Sequence, residues 1–283
     1  MVLVGAVPAA DSTLLERMLA AEDARGSGGV APLLEGARSS DPSVRAIALR
    51  AIGRLQRADL FEPLVAALDD GSPALRAEAA NALAQSVQGT PRGPVAPDSA
   101  RAAVERARLA LLAHLNGERD RAVAGAFARA LGRLPYADGV QARAAERAIL
   151  ESAGFPDANV MHGLYALARS RRSTGDLGSR AAALMRNTAR TGKDVAARRV
   201  AMLGLAAAGA IDSVTTRVAS RDRDPQVRRL ALAGVVMLPL EARMAFARRA
   251  LTDMVYVRIG FNEEKLRERV KAAGAIWRHK HKL

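Results

Sequence analysis

Cysteine is absent from this chain of 283 residues. That absence removes disulfides, thiolate nucleophiles and cysteine-held zinc or iron–sulfur centres together. Aromatic residues are scarce: one Trp, three Tyr and five Phe. Sheet-rich folds draw on aromatic and β-branched residues, so this scarcity weighs against a barrel or a sandwich. No stretch is long and apolar enough to span a bilayer, and no membrane span is expected. The histidines are His114, His162, His279 and His281. The first two stand alone in helical segments, and the last two alternate in a basic tail without a third ligand. Neither a metal site nor another cofactor is therefore expected. No Ser-His-Asp spacing emerges, and no glycine-rich loop runs into a lysine. The chain reads as a non-enzyme with no catalytic residue.

What is present points to helix. Hydrophobic residues make up 49% of the chain, and Ala, Leu and Val dominate them. Ala and Leu are the strongest apolar helix formers, and small Ala lets helices approach closely. The formal charge is +14, carried almost wholly by Arg, because Lys occurs only at 193, 265, 271, 280 and 282. Such an excess attracts phosphate, anionic lipid or acidic protein surfaces without choosing among them.

A repeat decides the reading. Residues 41–55 run Asp-Pro-Ser-Val-Arg-Ala-Ile-Ala-Leu-Arg-Ala-Ile-Gly-Arg-Leu. Thirty-one residues on, Pro73 matches Pro42 and Arg76 matches Arg45; later Asp224, Pro225 and Arg228 restate the pattern. Asp41, Ser72 and Asp224 stand where a helix N-cap belongs, and each following proline sits in the first turn, where its missing N–H costs nothing. Val44, Ile47, Ala48, Ala51, Ile52 and Leu55 form one apolar stripe, and Gly53 permits a close neighbour. Arg45 and Arg228 lie four residues after Asp41 and Asp224. That spacing suits either local closure on the helix or a bridge to the next repeat.

Shorter helices precede these, at 29–38 and 60–68, with Pro32 and Pro63 again thirty-one apart. A helix pair this small cannot bury its own stripe and must stack on like neighbours. Further pairs are expected at 102–115 with 120–134, 141–153 with 158–169, 179–191 with 195–208, and 211–219 with 225–237. A last helix at 241–251 makes about six pairs and an extra helix. The Gly- and Pro-rich segments 88–97 and 170–178 are loops.

The Asp-Pro-x-Val-Arg pattern of 41–53, partly restated at 224–234, resembles the second helix of HEAT repeats. The likeness extends over residues 12–250. It implies an all-α, right-handed α-α superhelix of the HEAT/armadillo type that presents surface to a partner. Residues 11–25 also resemble the HEAT-repeat region that precedes the isomerase domain in bacterial cyclophilin-type peptidyl-prolyl isomerases. No run of strands for that domain follows residue 250, so no isomerase activity is carried over.

The ends differ in character. Residues 1–11 read as a flexible N-terminus or the remnant of a signal segment, with Val7 and Ala9 suiting a cleavage site. The first reading implies a cytoplasmic protein and the second an exported one. Residues 253–283 read as a basic strand-helix tail, with a strand near 254–261, Asn262 capping a helix, and Trp277 beyond. This block resembles the start of a small basic bacterial protein; it serves as a cap on the stack or marks a fusion.

The function expected is a non-catalytic, monomeric scaffold for a protein partner. Its alternative is nucleic-acid binding, with Arg171, Arg172, Arg198, Arg199, Arg221 and Arg223 as the anion-binding candidates. A continuous concave arginine stripe would favour nucleic acid; scattering would favour protein contact or solubility.

Overall fold

The computed structural model describes residues 9–25, 27, 29–89, 98–152, 157–170, 177–252 and 268. Among the described residues six helix pairs form: α2 (Ala31–Gly36) with α3 (Pro42–Leu55), α4 (Phe61–Ala66) with α5 (Pro73–Ser86), α6 (Asp98–Gly117) with α7 (Arg121–Arg133), α8 (Gly139–Ser152) with α9 (Ala158–Arg169), α10 (Ser179–Thr191) with α11 (Val195–Ala208), and α12 (Ser213–Ala219) with α13 (Pro225–Gly234). Helix α1 (Ala9–Asp23) precedes them and α14 (Leu240–Thr252) follows. Helix α1 opens ahead of the boundary expected at residue 12. Single-turn 3₁₀ segments flank α4 and close α13, so 60–68 and 225–237 are each less regular than the continuous helices expected. The expected tail strand and helix, the first eight residues and most of both loops lie outside the described residues.

The second helices stack in order, α3 on α5, α7, α9, α11 and then α13, while the first helices meet one another far less. Closer spacing on one side makes the stack curve with the second helices on the inside. Small residues set that spacing. A Cβ on Gly53 would lie 2.7 Å from Ala82 Cα. The tightest approach joins α7 to α9, where a Cβ on Gly132 would fall 2.1 Å from Gly163 O. Packing at that distance tolerates no added atom without backbone movement.

The expected stripe is observed in part. Val44, Ala48, Ala51 and Ile52 are buried, together with Leu49 and Gly53, while Ile47 and Leu55 are half-buried. The core continues through Phe61, Leu83, Phe127, Leu164 and Met202 as one apolar seam between the two layers. Burying such side chains is the main favourable term in a fold of this kind, on the order of 1.5–3 kcal/mol each. Tyr136, also buried, donates its hydroxyl to Leu131 O at 2.7 Å and ties down the end of α7.

Capping repeats more faithfully than proline does. Asp41 accepts from Ser43 N at 2.7 Å, Asp120 from Ala122 N at 2.8 Å, Asp157 from Val160 N at 2.8 Å, Asp194 from Ala196 N at 2.9 Å, and Asp224 from Gln226 N at 3.0 Å. Each satisfies a donor that the helix itself leaves unpaired. Ser72 occupies the same position before α5, but its hydroxyl makes no capping bond. The backbone N–H of Ser72 is held by Asp70 Oδ1 at 2.8 Å.

Candidate interaction surface

Four residues after the capping position, α3, α5, α11 and α13 carry Arg45, Arg76, Arg198 and Arg228. All four fold back in one way. Nη1 of Arg45 donates to Ser39 O and Ser40 O at 2.8 and 3.1 Å. Arg76 does so to Asp70 O and Gly71 O at 2.9 and 3.5 Å, and Arg198 to Gly192 O and Lys193 O at 2.8 and 3.2 Å. Arg228 reaches Asp222 O and Arg223 O at 2.8 and 2.9 Å.

The rest of the fork bridges units. Arg45 Nε lies 3.3 Å from Asp70 Oδ2, an ion pair without hydrogen-bond alignment. Arg76 donates to Glu118 at 2.7 and 2.9 Å, and Arg198 to Asp222 at 2.7 and 2.9 Å. Each acceptor also holds the N–H of the next capping residue: Asp70 that of Ser72, Glu118 that of Asp120 and Asp222 that of Asp224, all at 2.8 Å. The arginine thus joins neighbouring units and does not close locally on Asp41 or Asp224. Asp224 pairs across units with Arg199, whose Nε donates to it at 2.9 Å. Arg228, on the last second helix, has no carboxylate in this role among the described residues.

These bonds shift the groups that make them. Hydrogen bonds from Arg76 and Arg198 hold the Glu118 and Asp222 carboxyls below their ordinary values, against a smaller opposing effect of burial. Asp224 is held well below the usual carboxylate range, first by Arg199.

The anion-binding candidates do not gather into one open cluster. Arg198 and Arg199 are committed to Asp222 and Asp224. Arg221 and Arg223 are exposed in the turn before α13, and Arg171 and Arg172 lie outside the described residues. Other inner-layer arginines at the N-terminal end are also paired. Arg50 donates to Glu78 at 3.2 and 2.8 Å, and Arg54 to Glu22 at 2.7 Å.

The middle of the inner layer differs. Arg129 and Arg133 lie one turn apart on α7, and neither has an acidic partner within ion-pair distance among the described residues. Burial pushes the Arg133 guanidinium below its ordinary value, and the charge of Arg129 adds to the effect. His162 on α9 is shifted down the same way, first by burial and then by Arg129. The Arg169 guanidinium lies 5.8 Å from the centre of the Tyr165 ring. Sequence reasoning passed over Arg129 and Arg133. Helix composition gave no sign of them, because α3 and α11 lack Asp and Glu just as α7 and α9 do, and their arginines are paired from neighbouring units.

No group of three metal-ligating side chains occurs among the described residues, and no described helix is long and apolar enough to cross a membrane. His114 is a packing residue, its Nδ1 2.7 Å from Ala110 O and its ring edge-on to Phe127.

Paired helices, a curved inner layer and inter-unit bridges define an all-α solenoid of the HEAT type. The family model of HEAT repeats matches residues 30–108, which span α2 to α5 and the first half of α6. Among solved structures the chain is similar to the archaeal HEAT-like repeats protein from Thermococcus onnurineus NA1. The two share 17% identity at a TM-score of 0.51, over 79% of this chain and 91% of that one. At that identity the likeness is one of fold. No curated protein matches the chain.

Proposed function

We propose that the chain is a non-catalytic, monomeric scaffold that holds a protein partner along the inner layer of its stack. One observation carries this reading: the inner arginines do not form a continuous positive stripe. Arg50, Arg54 and Arg199 are neutralised by carboxylates of the chain itself, while among the described residues Arg129 and Arg133 on α7 have no acidic partner and α5 carries neutral Asn81 and Gln85 in the same row. A duplex presents a charge about every 1.7 Å of its axis and rewards a long basic track. A short basic patch between neutral stretches suits a protein surface, where charge selects the partner and fixes register. The residues that would read exposed bases by stacking are also few.

The alternative reading, binding of a phosphate backbone, draws on the net charge of +14. The likeness of residues 11–25 to the repeat region of isomerases brings no isomerase activity to the reading.

Affinity capture from a native extract, with and without nuclease, tests the choice. The scaffold reading expects a reproducible protein partner that survives nuclease and is lost when Ala166, on the inner row of α9, becomes Arg. Capture abolished by nuclease, or a folded sample that recovers nothing, overturns it.

A further inference from the structure

The inner row can be followed from unit to unit by its offset from each capping residue. It presents Arg50 and Arg54 on α3, Asn81 and Gln85 on α5, Arg129 and Arg133 on α7, Ala166 on α9, then Leu203 and Ala207 on α11. The charges on α3 are paired, and those of α5 and α11 are missing. Among the described residues Arg129 and Arg133 therefore stand as an island on α7.

The close packing of α7 on α9 builds this island. A Cβ on Gly163 would lie 3.4 Å from Arg129 N, so α9 packs directly against the arginine's backbone. Arg133 is half-buried, and Arg129 disfavours the charge on both Arg133 and His162. Like charges gathered out of water with no counter-charge cost free energy. Arginine cannot escape by losing its proton. An anion supplied from outside removes the cost, and two guanidinium forks one helical turn apart offer the bidentate geometry that carboxylates take.

The geometry points to a carboxylate-binding site formed by Arg129 and Arg133 on the inner row of α7 that receives an acidic segment of the protein partner. This rests on the scaffold reading and deepens it. The segment is short in charge, because Asn81 and Gln85 on one side and Leu203 on the other offer no further cation.

The test is fluorescence anisotropy with a short labelled peptide of alternating Glu and Leu, titrated with the intact chain. Arg129→Gln/Arg133→Gln should weaken binding about tenfold or more, since charge-assisted bonds are lost. Arg50→Gln/Arg54→Gln removes the same formal charge from the same face and should change it by less than about twofold. The first variant should also melt no lower than the parent, because it relieves uncompensated charge; this separates lost contacts from lost folding. Equal weakening by both variants, or no saturable binding, overturns the site. So does a labelled duplex that displaces the peptide and shows the same dependence on Arg129 and Arg133. If the partner captured from extract is retained by the Arg129→Gln/Arg133→Gln variant, the site falls while the scaffold reading stands.

Discussion

Glu118 accepts two hydrogen bonds from Arg76, 42 residues earlier, and a third from the backbone N–H of Asp120. One carboxylate thus fastens α5 to the start of α7 and holds the capping residue of α7 in place. Its side chain is 6% exposed and that of Arg76 is 19% exposed, so solvent screens the pair less than a surface bridge. Glu118→Gln should cost about 1–3 kcal/mol in denaturant unfolding, more than the 0–1 kcal/mol typical of exposed pairs. A double-mutant cycle with Arg76→Gln should return a coupling of about 1 kcal/mol. Additive single effects would show that the two side chains act separately.

The same ladder ends at Arg228, which keeps the two carbonyl contacts and has no carboxylate partner among the described residues. Arg198→Gln should therefore destabilise by about 1–2 kcal/mol and Arg228→Gln by about half as much or less. Equal losses would place the value of the motif in the backbone contacts alone.

Stability should also respond to acid. Glu118, Asp222 and Asp224 have folded values below their ordinary ones of 4.5, 3.8 and 3.8. A group lowered on folding contributes stability that is fully present above its unfolded value and lost as pH falls through the folded one. Their contribution to the thermal midpoint should be level above about pH 5, then decline on acidification. Asp222→Asn should start lower and decline less steeply over that range. A variant that declines as steeply as the parent would remove Asp222 from the account.

Backbone approach in the inner layer gives a steric test. Gly132→Ala places a Cβ against Gly163 O and should cost about 3 kcal/mol, at the upper end of overpacking. Gly71→Ala meets nothing within 4 Å and should stay within about 0.5 kcal/mol of the parent. Comparable melting of the two variants would mean that α7 and α9 lie further apart than described.

Much of the fold was legible because the repeat writes the same physics several times. The Asp-Pro pair starts a helix, the apolar stripe gives it a buried face, and their recurrence places both in a stack. The bounds of α9, α10 and α11 could be read although proline and the repeat arginine are missing from parts of the middle, because Asp157, Gly178 and Asp194 still mark the starts. Spacing alone lets Arg45 either close on Asp41 or bridge to the next unit. Whether a fork turns inward or onward depends on where Asp70 falls in the next unit, which only the stacking decides. The candidate surface was less legible for a related reason. Arg198, Arg199 and Arg129 look alike in sequence, and what separates them is a carboxylate carried to two of them by a neighbouring helix. An absence of acid along α7 and α9 does not separate them either, because α3 and α11 are equally free of it and draw their carboxylates from neighbouring units.

The central claim is that the inner layer holds a protein partner. A photo-crosslinking residue placed at Ala166, on the inner row, and in a separate variant at Val140, 70% exposed on the outer helix α8, tests it in native extract. The account predicts a discrete protein adduct from position 166 that resists nuclease, and none from position 140. An adduct formed from position 140 alone, or nucleic acid joined at position 166, would contradict it.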